Sequence, residues 1–372
     1  MIVKKGKYNQ AKVMIDEIDY TTHQQIDEFL NQEAFADSNI VIMPDCHAGS
    51  GAVIGLTMTT NKYIIPNVIG VDIGCGVLSY CFGEIEIDVK NLDKKIRENV
   101  PAGFNVNKNS AKINTKLMKD ILNVCPKLNI DSNQVFNSIG SLGGGNHFIE
   151  AGYDCSQRLW ITVHSGSRNF GFKIANFYQN LAKEHIQNRD IVGVKRGLEF
   201  LMFDSKEGKN YLHDLKVAQE MASHNRHEIL TRIEEILCAQ STYEIESIHN
   251  YIGEDGVIRK GAISANEKEM VIIPLNMRDG IIIGEGKGNK DYNCSAPHGA
   301  GRILSRKQAK SSLDINKLKK DMEDNNIYTT SVNESTLDEA PDAYKKSATI
   351  FKHIKDTVEL VDVIKPIYNF KA

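Results

Sequence analysis

The 372-residue chain has only 8 prolines and a single tryptophan, and no stretch is rich in proline or serine. That scarcity argues against a proline-rich linker, and with no shift of composition along the chain it predicts one domain spanning 1–372. No internal repeat interrupts it. No apolar run approaches the ~20 residues needed to cross a bilayer. The opening MIVKKGKYNQAKVMIDEID has neither a long apolar core nor a small-residue cleavage pattern, so no secretory signal is expected. The seven cysteines are odd in number, scattered singly, and never form C-x-x-C. Disulfides are not expected, and a reducing, cytoplasmic location is. Neither sign of charge dominates: 45 Lys and Arg against 48 Asp and Glu leave a net −3. A polyanionic partner would therefore have to meet a local basic cleft.

What is present is ordinary globular chemistry, 41% hydrophobic and 25% charged. NIVIMPD (39–45), RLWITVHSG (158–166), VIIPL (271–275) and GIIIGEG (280–286) are short β-branched runs ending in turn residues, the pattern of buried strands. Helical spacing occurs at 88–99, 112–123, 170–188, 208–239 and 313–324, the fourth with apolar residues at threes and fours. Strands and helices mix irregularly instead of alternating, which predicts an α+β fold of mixed sheets flanked by helices. VIGVDIGCGVLSY (68–80) reads as strand, tight loop, strand.

Glycine carries the functional signal. Five glycine-rich turns, DCHAGSGAVIG, GVDIGCG, GSLGGGNHFIE, VHSGSRNFG and APHGAGR, each stand beside ionisable side chains. Glycine admits close backbone approach, and five such turns predict loops converging on one site at loop–strand junctions. Asp72 and Cys75 offer a hard and a soft anionic ligand suited to zinc, manganese or iron. Taken alone they also read as a turn cap and a small buried thiol. His147, His164, His249 and His298 each sit in or beside a short turn, and imidazole is the commonest metal ligand. Together with Asp72 and Cys75 they could serve two metal ions, a device of phosphoryl transfer. His213, His224 and His227 lie on the long helix without glycine turns and read as a solvated or packed face. GGGNHFIE and HGAGR could nest phosphate oxygens on backbone amides, although no Walker A G-K-[ST] is present. Arg168, Lys260, Arg302 and Arg306 supply positive charge beside these turns.

In this order, PDCHAG, GVDIGCG, GGGNHFIE, VHSGSRNFG, HN…RKGA, APHGAGR and the tail EAPDAYK with a penultimate lysine resemble the RtcB family of RNA-splicing ligases, from about residue 40 to the C-terminus. The resemblance implies a manganese- and GTP-dependent RNA ligase. In that family a histidine attacks the α-phosphorus of GTP and forms a covalent histidine–GMP intermediate. The guanylate passes to an RNA 3′-phosphate, made by opening a 2′,3′-cyclic phosphate, and a 5′-hydroxyl end then displaces GMP. On matching positions the nucleophile is His298. Asp72, Cys75 and His147 hold one Mn²⁺, and Cys75 bridges to a second held by His164 and His249. Asn146 and Lys260 reach the GTP phosphates, Glu150 the guanine, and Tyr344 and Lys371 surround it. Asn250, Asn276, Gly299, Ala300 and Gly301 complete the GTP site, and Asp45 and Arg168 fall near the RNA ends.

The chain reads as a shorter variant that departs from the family at PLNMRDGI (274–281). There Asn276 takes a serine's place, Arg278 and Asp279 bring charge, and Ile281 stands where a serine could contact the nucleotide. The closing Ala372 replaces a usual glycine. A metal-dependent phosphoesterase acting on RNA ends and a non-catalytic RNA-end binder share the same cluster and are the alternatives. No membrane partner is expected, and a monomer is.

Overall fold

A computed structural model describes residues 1–371; Ala372, the C-terminal departure noted above, lies outside them. Two large sheets and the helices packed on them make the α+β architecture that the sequence predicts. The first sheet has six strands in the order Ile2–Lys5, Gln10–Val13, Ile40–His47, Ile54–Thr59, Val257–Lys260 and Asn250–Ile252. It is antiparallel except where Gln10–Val13 runs parallel to Ile40–His47. The second has seven, in the order Tyr243–Ile248, Gly76–Gly83, Leu159–Ser165, Phe148–Tyr153, Val358–Lys371, Gly280–Gly286 and Met270–Asn276.

The helix Lys206–Leu237 serves both cores. Tyr211, Leu215, Ala218 and Met221 pack into the cluster under the first sheet, and Ile229, Leu230 and Ile233 into that under the second. This is the spacing of threes and fours that predicts its buried stripe. Ser205 caps its start by accepting from the Gly208 amide at 3.0 Å, and Cys238 ends it in a left-handed turn. The strand Gly76–Gly83 is buried on both faces: Leu78, Tyr80 and Phe82 face this helix, while Val77 and Cys81 meet Trp160, Ile281 and Ile364. Among the described residues no helix is long and apolar enough to cross a membrane.

Three expectations shift. The run before Asp72 is not a strand; Pro66–Ile69 is a short helix with Pro66 at its start and Gly70 at φ +102° after it. Four apolar residues look alike whether they fill a buried strand or a helical turn. The helix expected at 112–123 is Thr115–Leu128, because the Asn114 side chain caps the Leu117 amide and Asn129 turns left-handed at the end. The long strand Val358–Lys371 goes unread in sequence because Pro366 breaks its pattern; that proline sits at a register shift, where a ladder hydrogen bond is not required.

Register then assembles the site. In four neighbouring antiparallel strands Gly76 pairs with both Ile248 and Ser165, and Phe148 pairs with His164. Cys75 precedes one strand, His147 precedes another, His164 is next to last in a third and His249 follows a fourth, so all four lie at one sheet edge. Lys371 pairs with Phe148 and joins them.

Candidate active site

A cleft of about 600 Å³ opens at this edge. Asp72, Cys75, Asn146, Glu150, His164, His249, Asn250, Asn276, His298, Gly299, Ala300, Gly301, Tyr344 and Lys371 line it. Cys75 Sγ lies 3.5 Å from His147 Nε2 and 3.2 Å from His164 Nε2. Asp72 Oδ2 is 3.2 Å from His147 Nε2, and His249 Nε2 is 3.3 Å from His164 Nε2. Ligand atoms of Cys75, His147 and His164 fall within 4.8 Å of one another, all three residues buried.

Hydrogen bonds fix which ring nitrogens face this point. A backbone carbonyl only accepts, so His147 Nδ1–H donates to Leu142 O at 3.0 Å and His164 Nδ1–H to Asn146 O at 3.2 Å. In the neutral rings the lone pairs are then on the Nε2 atoms, which converge with a sulfur and a carboxylate oxygen. The cluster is rich in acceptors, with the Cys75 thiol as its proton source; a cation displacing that proton would satisfy these atoms together, with the outer carbonyls orienting the imidazoles as metal sites require. His249 Nδ1 is buried without a hydrogen-bond partner among the described residues. Burial and the Asp72 charge hold the Cys75 thiol well above its ordinary pKa. Burial and the neighbouring imidazoles hold His164 and His249 well below theirs, in the neutral form that ligates. The residues fit a metal.

His298 stands beside the cluster, its ring 4.8 Å from that of His249. The strand Ser295–Pro297 delivers it by pairing with Ala262–Ser264, while Gly261 N–H donates to His249 O at 2.6 Å. Asp45, fully buried, accepts from His298 Nδ1–H at 2.6 Å and from the His298 amide at 3.1 Å. In the neutral ring the lone pair is then on Nε2, which makes no hydrogen bond among the described residues. The glycine turn matters here: Gly301 lies at φ +73°, and a β-carbon there would collide with Asp45 O.

Two of the residues expected near RNA and one expected near GTP lie behind the cleft wall. Asp45 sits under His298. Arg168, itself at φ +56°, donates to Ser141 Oγ at 3.1 Å and Gly103 O at 2.7 Å and passes close behind His147 at Gly143. Lys260 is turned onto the carbonyls of Ser50 and, at 2.8 Å, Asn67; burial lowers its pKa to about 7. The 274–281 departure folds on itself. Asn276 Oδ1 accepts from the amides of Arg278 and Asp279, Arg278 pairs with Asp279 and Asp321, and Ile281 is buried among Trp160 and Ile364. Only Pro274 to Met277 of that segment face the cleft. His224 and His227, read as a helix face, bond to Lys112 O and Ser223 O respectively.

Glu339 and Arg226 are missed by sequence reasoning. Glu339, within EAPDAYK, accepts from Tyr344 OH at 2.6 Å, Arg306 at 2.6 Å and Lys371 at 3.3 Å. Burial opposes its charge, but Lys371 and Arg306 prevail and hold its pKa at about 2. It fixes both side chains expected around guanine. Arg226, fully buried, donates to Gly74 O at 2.8 Å and Ser165 O at 2.7 Å, clamping the turns that carry Cys75 and His164. Its one sequence signal is a charge inside an apolar helical stripe.

Glu150 is buried at 3% exposure with Oε1 unpartnered, and burial raises its pKa to about 8 despite Lys371. The folded state thus holds a proton that the unfolded chain releases near the ordinary value of 4.5. Stability from this group is full below that value and lost as pH rises toward 8. Melting temperature should fall across that window, and Glu150→Gln should flatten the fall; an unchanged slope would contradict the burial effect.

The fold and cluster define an α+β protein with a metal-capable cysteine–histidine centre at a sheet edge. Residues 30–134 and 126–372 match the family model described as "tRNA-splicing ligase RtcB". The chain is 30% identical over 381 residues to the "RNA-splicing ligase RtcB" of Escherichia coli strain K12, covering 91% of each. It is 24% identical to the "tRNA-splicing ligase RtcB" of Aeropyrum pernix, covering 82% of each, and 24% identical to that of Thermococcus kodakarensis, covering 88% of this chain and 86% of the relative. The chain belongs to the RtcB family and is an RNA ligase.

Proposed function

We propose that the enzyme joins RNA 3′-phosphate or 2′,3′-cyclic phosphate ends to 5′-hydroxyl ends, using GTP and Mn²⁺, through a covalent guanylate on His298. The observation that carries this is the His298 ring: Nδ1–H is held by buried Asp45, and Nε2 is left as a lone pair in the cleft. Asp72, Cys75 and His147 would hold one Mn²⁺, with Cys75 shared by a second on His164 and His249; bound there, the cations would neutralise the triphosphate.

His298 Nε2 forms a bond to the α-phosphorus of GTP as the α–β anhydride bond breaks and pyrophosphate leaves. Asp45 stabilises the positive charge that develops on the ring. A 3′-phosphate oxygen then takes the guanylate and frees His298. The 5′-hydroxyl oxygen attacks the 3′-phosphorus, closing the phosphodiester and releasing GMP. On giving up the proton it holds in the free protein, Glu150 would accept from guanine N1–H and N2–H₂, donors that adenine does not present, with Tyr344 and Lys371 held around the base by Glu339. The hairpin bonds of Asn276, Arg278 and Asp279 support a pocket left open by the 274–281 departure. The seven cysteines are all free, in keeping with a reducing cytoplasm.

The test is to incubate the protein with Mn²⁺ and α-labelled GTP or ATP. Acid-labile label on protein from GTP, not ATP, chased onto RNA bearing a 3′-phosphate, is expected. Phosphate release from the RNA end without joining would instead indicate a phosphoesterase. GTP binding with no label would indicate an end binder.

A further inference from the structure

Phe104 is the most exposed aromatic side chain among the described residues and has no role in the site described so far. Phe104 has a relative exposure of 106% and belongs to no apolar cluster. An exposed phenyl on a mobile loop would mean little, but this loop is clamped at many points. Leu142 N–H donates to Pro101 O at 2.8 Å and Gly103 N–H to Gly143 O at 2.9 Å. Arg168 donates to Gly103 O at 2.7 Å. Asn107 donates to Ile139 O at 2.7 Å and accepts from Arg232 at 2.7 Å, and His224 donates to Lys112 O at 2.9 Å. Leu142 and Gly143 belong to the turn behind His147: Leu142 O accepts from His147 Nδ1, and a β-carbon on Gly143 would fall 2.6 Å from that atom. The backbone beside Phe104 is therefore bonded directly to the turn that orients a metal-capable imidazole.

The charge around it is equally distinct. Between residues 100 and 119 there are four lysines, at 108, 112, 116 and 119, and no Asp or Glu, in a chain whose net charge is −3. Lys108 and Lys112 are exposed and have no ion pair among the described residues. An exposed aromatic on a positively charged loop is the composition of a single-stranded nucleic-acid platform, where a base stacks on the ring and cations follow the phosphates. A protein partner would gain area from a contiguous apolar patch, whereas Phe104 has Val106 as its one exposed apolar neighbour in a run of Asn105, Asn107, Lys108, Asn109 and Ser110.

We infer that Phe104 is a stacking platform for an unpaired RNA base beside the reacting end, with Lys108 and Lys112 on the adjoining phosphates. The inference rests on the RNA-joining reading for its substrate. It assigns the loop 100–114 to RNA recognition and explains why an RNA ligase buries a network of hydrogen bonds beneath a side chain that buries nothing.

The experiment measures binding of two short unpaired RNAs, one carrying 2-aminopurine next to a 3′-phosphate and one next to a 5′-hydroxyl. Wild type should quench the fluorophore on one of them, which identifies the end that docks. Phe104→Ala should weaken that binding by roughly five- to a hundred-fold and remove the quenching, as loss of one aromatic–base stack does. Phe104→Trp should restore both, and the melting temperatures should agree, because the side chain packs in no core. Lys108→Ala with Lys112→Ala should shallow the salt dependence by about 0.7 for each phosphate no longer neutralised. Unchanged affinity and quenching in Phe104→Ala for both RNAs would overturn the inference. Failure of the wild type to label His298 would instead strike the guanylate reading and leave this measurement intact.

Discussion

His298→Ala should carry no acid-labile guanylate after incubation with Mn²⁺ and GTP, and should join no RNA. Four imidazoles stand in a row that ends in the cleft, with ring centroids 5.2, 5.0 and 4.8 Å apart from His147 through His164 and His249 to His298. The Nε2 atoms of the first three point into one acceptor cluster. Only His298 combines an Nδ1–H fixed on a carboxylate with an Nε2 outside that cluster. No neighbour can replace it, so loss should be complete and not partial. Asp45→Ala tests the orienting half of this pair. Without the carboxylate the ring is free to place its proton on Nε2 and lose its nucleophile. Where a buried carboxylate orients a catalytic histidine, its replacement costs on the order of 10⁴-fold in rate. Guanylation should therefore slow by orders of magnitude in Asp45→Ala while bound metal persists. Full labelling of His298→Ala, measured by gel autoradiography, would remove the nucleophile assigned here.

Cys75→Ala should leave the protein folded and unable to retain metal through dialysis, read by elemental analysis. The sulfur is the atom shared by two of the close approaches in the cluster, at 3.5 and 3.2 Å. Its removal would take away the anion proposed to be shared by two cations and leave His147 with Asp72 apart from His164 with His249. Loss of an outer-sphere partner alone weakens metal sites by about 10–100-fold, so loss of a shared ligand should exceed that. The exchange deletes one buried sulfur atom and its contacts with the two imidazoles, and it leaves in place the Arg226 bonds that clamp the turn through backbone carbonyls. Thermal melting separates the two effects: metal lost from a chain that still melts cooperatively supports the assignment. Wild-type metal content in Cys75→Ala would refute it.

Much of the site was legible because the signals were local. A glycine turn beside a histidine is written in adjacent residues, and so are the strands Leu159–Ser165 and Gly280–Gly286, whose β-branched runs end in turn chemistry. What failed to show did so for physical reasons. The apolar run before Asp72 is compatible with a strand or a helical turn, and Pro66 with Gly70 decided for the helix. Lys260 reads as a phosphate ligand beside its glycine, but its ammonium is consumed by two carbonyls from elsewhere in the chain. Arg278 and Asp279 look disruptive in sequence and are harmless in space, because they neutralise each other away from the cleft. Glu339 lay in plain view within EAPDAYK, yet only its partners, drawn from 302–306, 344 and 371, give it a role.

The sequence by itself determined the chemical inventory: acceptor-type ligands and glycine turns in a fixed order, without the repeats, spans or linkers of other classes. Tertiary structure alone decided that four strand ends from residues 75 to 249 meet at one edge, which ring nitrogens carry lone pairs, and that Asp45 serves His298. The physical reason is range. Backbone propensity acts over a few residues, whereas a ligand cluster is set by antiparallel register between segments tens to hundreds of residues apart.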